Sequence, residues 1–346
     1  MKLKLKGLNS IYCLFLLREK LNFHIFINVL VTINMINRRH IRIKVMQSVY
    51  AFFQSKNQDL TSEEKFLNSN IDKLQELSVL MLNLLLELKK ESSRIIDISK
   101  KKHLATSNEL NPNKKFIDNR VFLGIENSKS YLAFMSVHKL DLWTLNNKYI
   151  KNIWKSIEES SIYKDYMASD ISNLKEDLAF VNAIYTDIVA TDEKLYDFLE
   201  DINIGWVDDF PFVNTWVLKT LHSIKENKPV KIDNLYKDED DAKFAIQLFR
   251  KTVLNHQEFD KDIDEKTPNW DSERIAELDL ILIKMALTEF IYFPSIPTKV
   301  SINEYLELAK DYSTNQSSVF INGVLDKLLK EYQLQNKINK VGRGLL

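Results

Sequence analysis

Glycine and proline are rare in this chain, with six of each among 346 residues. Ordinary usage is about 7% glycine and 5% proline. Turn-rich β-folds and the phosphate-binding loops of nucleotide enzymes both consume glycine, so the sequence disfavours an all-β fold and a nucleotide-binding α/β fold. Hydrophobic residues make up 45% of the chain, enough to bury a core. Long helices packed into an all-α fold are therefore expected.

Cysteine and histidine are too sparse for most catalytic or metal chemistry. The single cysteine, Cys13, excludes a disulfide framework and a cysteine-based zinc site. The six histidines include no His-x-x-x-His pair, so we expect no metal, no cofactor and no catalytic residues. This cysteine usage is typical of the reducing cytoplasm.

Residues 1–34 have a basic start and two short apolar stretches. No small-x-small cleavage site follows, and neither stretch reaches the roughly 20 residues of a membrane span. We interpret this segment as a doubtful leader, upstream of a translation start at Met35. A weak membrane-surface helix is the alternative. No function is assigned to the segment, and no membrane partner is expected.

A balanced total charge hides a basic start on an acidic body. The chain has 48 Lys+Arg and 48 Asp+Glu, but residues 1–58 contain ten basic residues and only one acid, Glu19. Because local charge governs binding more than the total does, the basic start is the part expected to meet an anion.

Apolar spacing predicts helices along the chain from Met35 onward. Ile41, Val45, Val49 and Phe52 recur at intervals of four, four and three, which predicts a first helix within 35–57. Further helices are predicted over 62–90, 131–166, 170–202, 209–226, 242–255, 272–292, 301–312 and 319–333. Segment 91–130 reads as a long polar connection, and Ser301 with Glu304 reads as a capping box.

The first helix opens with a cluster of basic, amide and aromatic side chains: Arg38, Arg39, Arg42, Lys44, Gln47 and Tyr50. The three arginines project from one side of the first two turns if the helix already begins there. Arginine forks bind phosphate and their planes stack on unpaired bases, so the cluster is typical of single-stranded RNA binding. A solvated basic turn without a ligand remains an open alternative.

A more specific pattern lies near the C-terminus. The run Ile296-Pro297-x-Lys299-Val300-x-Ile302-Asn303-Glu304 continues through matching residues at 307–310 and 320–326. It resembles the C-terminal half of the bacterial transcription antitermination factor family NusB. The opening Arg38-Arg39-His40-x-Arg42 resembles the arginine-rich start of that family, although His40 stands where the family has a third arginine or similar residue.

The resemblance implies two packed helical bundles and an RNA-binding transcription factor that is not an enzyme. It implies binding to the boxA element of ribosomal RNA leader transcripts together with NusE, a small-subunit ribosomal protein. The pair would then join an RNA polymerase antitermination complex. The candidate RNA-binding residues are Arg38, Arg39, Arg42, Lys44, Gln47 and Phe320. Tyr50 and Glu289 match positions that face the ribosomal-protein partner.

The expected organisation is a basic first helix at 35–57 and a C-terminal NusB-like bundle at 238–335, followed by a basic tail at 336–346. Between them, 58–237 would hold the remaining N-terminal bundle helices and a helical insertion. A scaffold in ribosomal RNA maturation that binds no RNA directly is the alternative function. An RNA methyltransferase is disfavoured because the chain lacks a glycine-rich loop and catalytic cysteines.

Overall fold

The structure is a computed structural model that describes residues 35–55, 59–226, 228–267 and 275–345. The expectations for 1–34 lie outside the described residues. The described part of the chain contains sixteen α-helices and no strand, and the predicted all-α fold is confirmed. None of the described helices is long and apolar enough to cross a membrane.

The helices are numbered here in chain order. They are α1 Arg38–Gln54, α2 Leu60–Lys100, α3 Ser107–Leu110, α4 Arg120–Glu126, α5 Lys129–His138, α6 Leu142–Leu145, α7 Asn147–Glu159, α8 Ser161–Ala168, α9 Leu174–Ile184, α10 Glu193–Ile202, α11 Phe210–His222, α12 Glu239–Leu254, α13 His256–Lys266, α14 Glu277–Tyr292, α15 Thr298–Tyr312 and α16 Ser317–Leu334. A π-helical turn, Tyr185–Val189, continues α9. Short 3-10 turns occupy Ile204–Trp206 and Gly342–Leu345.

The longest helix, α2, is the spine of the region 58–237. Its 41 residues extend for roughly 60 Å at 1.5 Å per residue. Asp59 caps its start by accepting hydrogen bonds from the backbone N–H groups of Thr61 and Ser62. Helices α4, α5, α7 and α11 pack along it, and so does α1. The helices at 58–237 therefore continue one packed structure with α1.

Buried aromatic donors fix this region to the α2 backbone. The indole N–H of Trp143 donates to the carbonyl of Leu80 at 3.0 Å, and that of Trp206 donates to the carbonyl of Lys73 at 3.1 Å. These bonds satisfy polar groups that burial would otherwise leave unpaired.

Helix α14 is the centre of the C-terminal bundle. It contacts α1, α12, α13, α15 and α16, and its residues 281–290 are all buried. Of the five apolar positions whose spacing predicts an inward face, Leu282, Met285 and Phe290 are fully buried, whereas Ile275 and Leu278 are only partly buried. The acidic run at 238–241 lies at the start of α12, and Asp238 accepts a hydrogen bond from the backbone N–H of Asp241.

Several local predictions were wrong. Segment 91–130 is not a connection, because α2 continues to Lys100 and three further helices begin before residue 130. Helix α15 begins at Thr298 after Pro297, so Ser301 lies inside it and does not cap it with Glu304. The missing side chain of Gly323 predicts a close approach of the last helix to a neighbour, but a Cβ atom there would meet nothing within 4 Å, so no such approach depends on this glycine.

Candidate nucleic-acid interface

The basic cluster lies in the first turns of α1. Helix α1 begins at Arg38, and Asn37 caps it by accepting a hydrogen bond from the backbone N–H of His40 at 2.9 Å. The condition for placing Arg38, Arg39 and Arg42 in its first two turns is therefore met. The side chains of the cluster nevertheless divide into a buried set and a partly exposed set.

Arg42 belongs to the buried set and pairs with Glu289 of α14. Its Nε and Nη2 atoms donate to the two carboxylate oxygens at 2.6 and 3.0 Å, and both residues are nearly inaccessible to solvent. The hydroxyl groups of Ser301 and Tyr305 also donate to Glu289, each at 2.7 Å. Burial alone would raise the pKa of Glu289, but the Arg42 charge and these hydrogen bonds hold it below its ordinary value.

Lys44 and Gln47 extend from the other side of α1, where they contact the 204–209 segment. The Lys44 ammonium donates to the Asp209 carboxylate at 2.7 Å and to the Gly205 carbonyl at 3.1 Å. Burial raises the pKa of Asp209 to about 6, against the opposing effect of Lys44. The Gln47 amide donates to Asp208 at 2.6 Å. Helix α1 is thus held to α14 through Arg42 and to the 204–209 segment through Lys44 and Gln47.

These contacts change the interpretation of four candidate residues. RNA would have to displace a buried carboxylate to reach Arg42 or Lys44, and it would compete with Asp208 for Gln47. Glu289 is 0% exposed, which corrects the expectation that its side chain faces a protein partner.

Arg38 and Arg39 form the partly exposed set. Arg38 Nε donates to Asp241 at 2.8 Å, and its guanidinium lies 5.0 Å from the centre of the Phe244 ring. Arg39 Nη2 donates to Asp311 at 3.1 Å. The two arginine side chains are 38% and 35% exposed. The Arg39–Asp311 pair is solvent-exposed and contributes only about 0–1 kcal/mol, so a phosphate can replace that carboxylate at small cost. Asp241, the partner of Arg38, is buried, and Arg38 reaches a phosphate with the part of its guanidinium that stays exposed.

His40 adds no charge to this surface at neutral pH. Its ring lies 3.8 Å from that of Phe212, and Nδ1 is 2.9 Å from the side-chain oxygen of Asn37. Burial and the neighbouring charges of Arg39 and Lys44 lower the pKa of His40 to about 3. The imidazole is therefore neutral, with Nδ1–H donating to Asn37.

A cleft of about 570 Å³ brings the three arginines together with a residue from the far end of the chain. Its lining residues are Asn37, Arg38, Arg39, Arg42, Ser295, Ile296, Pro297, Val300, Glu304 and Arg343. Tyr50 and Phe320 do not line it. Tyr50 is 42% exposed near the end of α1, and Phe320 is half-buried in the first turn of α16.

Sequence reasoning missed Arg343 and every carboxylate partner of the α1 cations. The partners Asp209, Asp241 and Asp311 lie on three different segments, and no spacing along the chain links them to α1. Arg343 is flanked by Gly342 and Gly344, and this Gly-Arg-Gly pattern was a usable signal in a chain with only six glycines. No group of three potential metal ligands occurs among the residues described by the structure.

The fold and this site define an all-helical protein in which a basic helix is held by ion pairs against a C-terminal bundle. Residues 215–330 match the model of the NusB family, and this segment is a NusB family domain within a longer chain. The match begins within α11 and ends within α16, so it contains Glu289 and Phe320 but not α1. No solved structure gives a significant match to the chain.

Three curated relatives support the assignment, each called transcription antitermination protein NusB. The protein of Salinibacter ruber is 45% identical over 103 residues, which cover 30% of this chain and 64% of the relative. That of Chloroherpeton thalassium is 39% identical over 103 residues, which cover 30% of this chain and 49% of the relative. That of Natranaerobius thermophilus is 41% identical over 90 residues, covering 26% and 60%. The chain thus spans about half to two thirds of the length of these relatives.

Proposed function

We propose that this chain is an RNA-binding transcription antitermination factor of the cytoplasm. It binds a boxA-type element of ribosomal RNA leader transcripts together with NusE and joins an RNA polymerase antitermination complex. The NusB domain at 215–330 and the names of its relatives support the antitermination role.

The observation that carries the RNA-binding part is the arginine-lined cleft. There the start of α1, which the family match does not include, meets the α14–α15 turn of the NusB domain. Arg38 and Arg39 present guanidinium groups to solvent at its edge, and their carboxylate partners Asp241 and Asp311 do not line it. A phosphodiester in the cleft would meet these forks from one side and Ser295 from another.

We infer that the protein binds a specific RNA sequence, because it would contact unpaired bases as well as the phosphates held at the arginine-lined cleft. Phosphate contacts position an RNA strand, whereas base contacts specify it. Phe320 is the candidate for stacking on a base, because aromatic rings stack on unpaired bases and its ring lies half-buried at a helix start. Arg42 and Lys44 act from behind this surface, where they hold α1 in place.

The experiment is fluorescence anisotropy with labelled boxA RNA, with and without NusE. Wild-type protein is expected to bind boxA RNA more tightly when NusE is present, and to lose affinity when the boxA bases are changed. Binding that ignores the base changes, or no binding even with NusE, would contradict the proposal.

A scaffold that binds no RNA is the second candidate, and one observation favours it. Arg38, Arg39, Arg42 and Lys44 each have a carboxylate partner inside the chain. A scaffold would bind NusE in the same experiment and leave the anisotropy of the RNA unchanged.

A further inference from the structure

The tail that follows α16 returns to the end of α14. The Lys340 ammonium donates to the carbonyls of Glu289 and Phe293 at 3.0 and 2.9 Å, and these are among the last carbonyls of that helix. The backbone N–H of Val341 donates to the Pro294 carbonyl at 3.0 Å. The carbonyls of Glu289 and Phe293 also accept backbone hydrogen bonds, from the N–H groups of Phe293 and Ile296, so Lys340 adds a second donor to each and holds the tail at this helix end.

Gly344 allows the tail to lie this close. A Cβ atom at this position would be 1.9 Å from the carbonyl oxygen of Pro294, which belongs to the backbone and has no rotamer with which to move aside. Gly344 is itself buried, and its N–H donates to the Val341 carbonyl at 2.9 Å. A side chain here would force the tail off the α14–α15 turn.

This docking places Arg343 in the wall of the arginine-lined cleft. It is exposed, and within the described chain it makes no ion pair, in contrast to Arg38, Arg39 and Arg42. The one carboxylate in the lining belongs to Glu304, whose Oε2 lies 3.5 Å from Arg42 Nη1. Arg343 is therefore the cleft cation whose charge no carboxylate of the described chain offsets directly.

We propose that the docked tail, residues 336–345, completes the RNA-binding cleft and that Arg343 binds a phosphodiester of the RNA held by Arg38 and Arg39. The inference rests on the proposed function and extends it to a segment that follows the family match, which ends at residue 330. An arginine fork with no carboxylate partner binds a phosphate without first giving up an ion pair, so Arg343 contributes more per contact than its neighbours do.

The first test removes the charge. Arg343→Gln is expected to weaken binding of boxA RNA, in the presence of NusE, by about five- to tenfold near 0.15 M salt. The slope of log affinity against log salt should become shallower by about 0.7, as expected for one lost phosphate contact on single-stranded RNA. Arg250→Gln is the matched control, because Arg250 also lies at the surface but pairs with Glu64 and does not line the cleft.

The second test keeps the charge and moves the tail. Gly344→Ala is expected to weaken RNA binding by a similar factor and to speed hydrogen exchange at the amide of Val341. Gly323→Ala is the control, because a Cβ atom at this exposed helical position meets nothing within 4 Å. Equal RNA affinity for wild type, Arg343→Gln and Gly344→Ala would overturn the inference and leave the proposed function standing.

Two further outcomes are distinguishable. If wild-type protein does not bind boxA RNA even with NusE, both the proposed function and this inference fail. The cleft could instead bind free inorganic phosphate through the same arginines, and a calorimetric titration with phosphate tests this alternative. Phosphate binding that Arg343→Gln abolishes, together with unchanged RNA affinity, would assign the cleft to a free anion and overturn the inference.

Discussion

Arg42 and Glu289 lie 247 positions apart in the sequence and share two hydrogen bonds, of 2.6 and 3.0 Å, inside the helical bundle. The pair joins the basic first helix to the central helix of the NusB domain. All four contacts to the Glu289 carboxylate come from side chains, which supply two donors to each oxygen. A buried charge pair of this kind orients helices, and its loss would leave the Arg42 guanidinium with only the longer 3.5 Å contact to Glu304.

Glu289→Gln should therefore destabilise the protein strongly. The amide cannot neutralise the buried Arg42 guanidinium, and removal of one member of a buried pair costs about 3–5 kcal/mol in the free energy of unfolding. Urea unfolding followed by circular dichroism measures this loss. Glu64→Gln, which breaks the exposed pair with Arg250, is the control and should hardly move the midpoint. A Glu289→Gln protein as stable as wild type would disprove the structural role of the pair.

Mild acid should destabilise the protein through His40. The pKa of His40 is lowered to about 3 in the folded chain, whereas an unfolded histidine protonates near 6.5. The stability that the neutral imidazole gives to the folded state is fully present above pH 6.5 and is lost progressively as the pH falls toward 3. His40→Gln should therefore lose less stability than wild type between pH 7 and pH 5, as measured by thermal unfolding.

The comparison with His40→Gln is needed because Asp209 titrates in the same pH range, and its protonation changes the folding stability in the opposite direction. Its folded pKa is raised to about 6, so its protonation favours the folded state as the pH falls below 6. That effect is common to both proteins and cancels in their difference. Parallel pH profiles for wild type and His40→Gln would contradict the neutral state of this imidazole.

Class and motif were predictable from the sequence, and the partners of the site residues were not. Scarce glycine and 3.6-residue periodicity were enough to predict an all-α fold, and the run from Ile296 was enough to indicate the family domain. The spacing of Arg38, Arg39 and Arg42 correctly placed them on the first turns of a helix. Ion pairs such as Lys44 with Asp209 join segments 165 positions apart, and no local pattern encodes such pairing.

Burial caused the remaining errors in the site. A helical wheel orders residues around an axis, but it does not show that α1 is covered on two sides, by α14 and by the 204–209 segment. Arg42 and Lys44 thus lie in a packed environment, whereas their charge alone would predict that they are exposed to solvent. The tail was predicted only as a basic extension, because the clash that makes Gly344 necessary depends on Pro294, fifty residues earlier.

Tyr50 is the remaining candidate contact for a protein partner. It is 42% exposed, unlike Glu289, so its ring is accessible to the proposed partner NusE. Tyr50→Ala should weaken NusE binding by about tenfold, in line with the 1–2 kcal/mol of an interface aromatic residue, and leave the folding stability unchanged. Calorimetric titration with NusE measures the effect, and Phe66→Ala, at an exposed aromatic residue on α2, is the control. Equal losses for the two variants would argue against a specific contact at Tyr50.

The folding stability of the region between α2 and α11 should depend on Asp177. This carboxylate is 2% exposed and accepts hydrogen bonds from the Tyr166 hydroxyl at 2.7 Å and from the backbone and guanidinium of Arg120 at 3.1 and 3.0 Å. Asp177→Ala leaves these donors without their acceptor and should cost about 2–4 kcal/mol. Urea unfolding read out by tryptophan fluorescence reports on this region through Trp154, which is buried beside Phe116. An unchanged midpoint would show that the carboxylate is dispensable.

We propose that the partly exposed arginines of α1 bind RNA while the buried cations hold the helix in place. The most direct test is the salt dependence of boxA RNA affinity, in the presence of NusE, for wild type and for Arg38→Gln/Arg39→Gln. Three phosphate contacts, by Arg38, Arg39 and Arg343, predict a wild-type slope of about −2, and loss of two of them predicts a slope of about −0.7 with unchanged helical circular dichroism. A double variant with the affinity and slope of the Arg250→Gln control would contradict the claim.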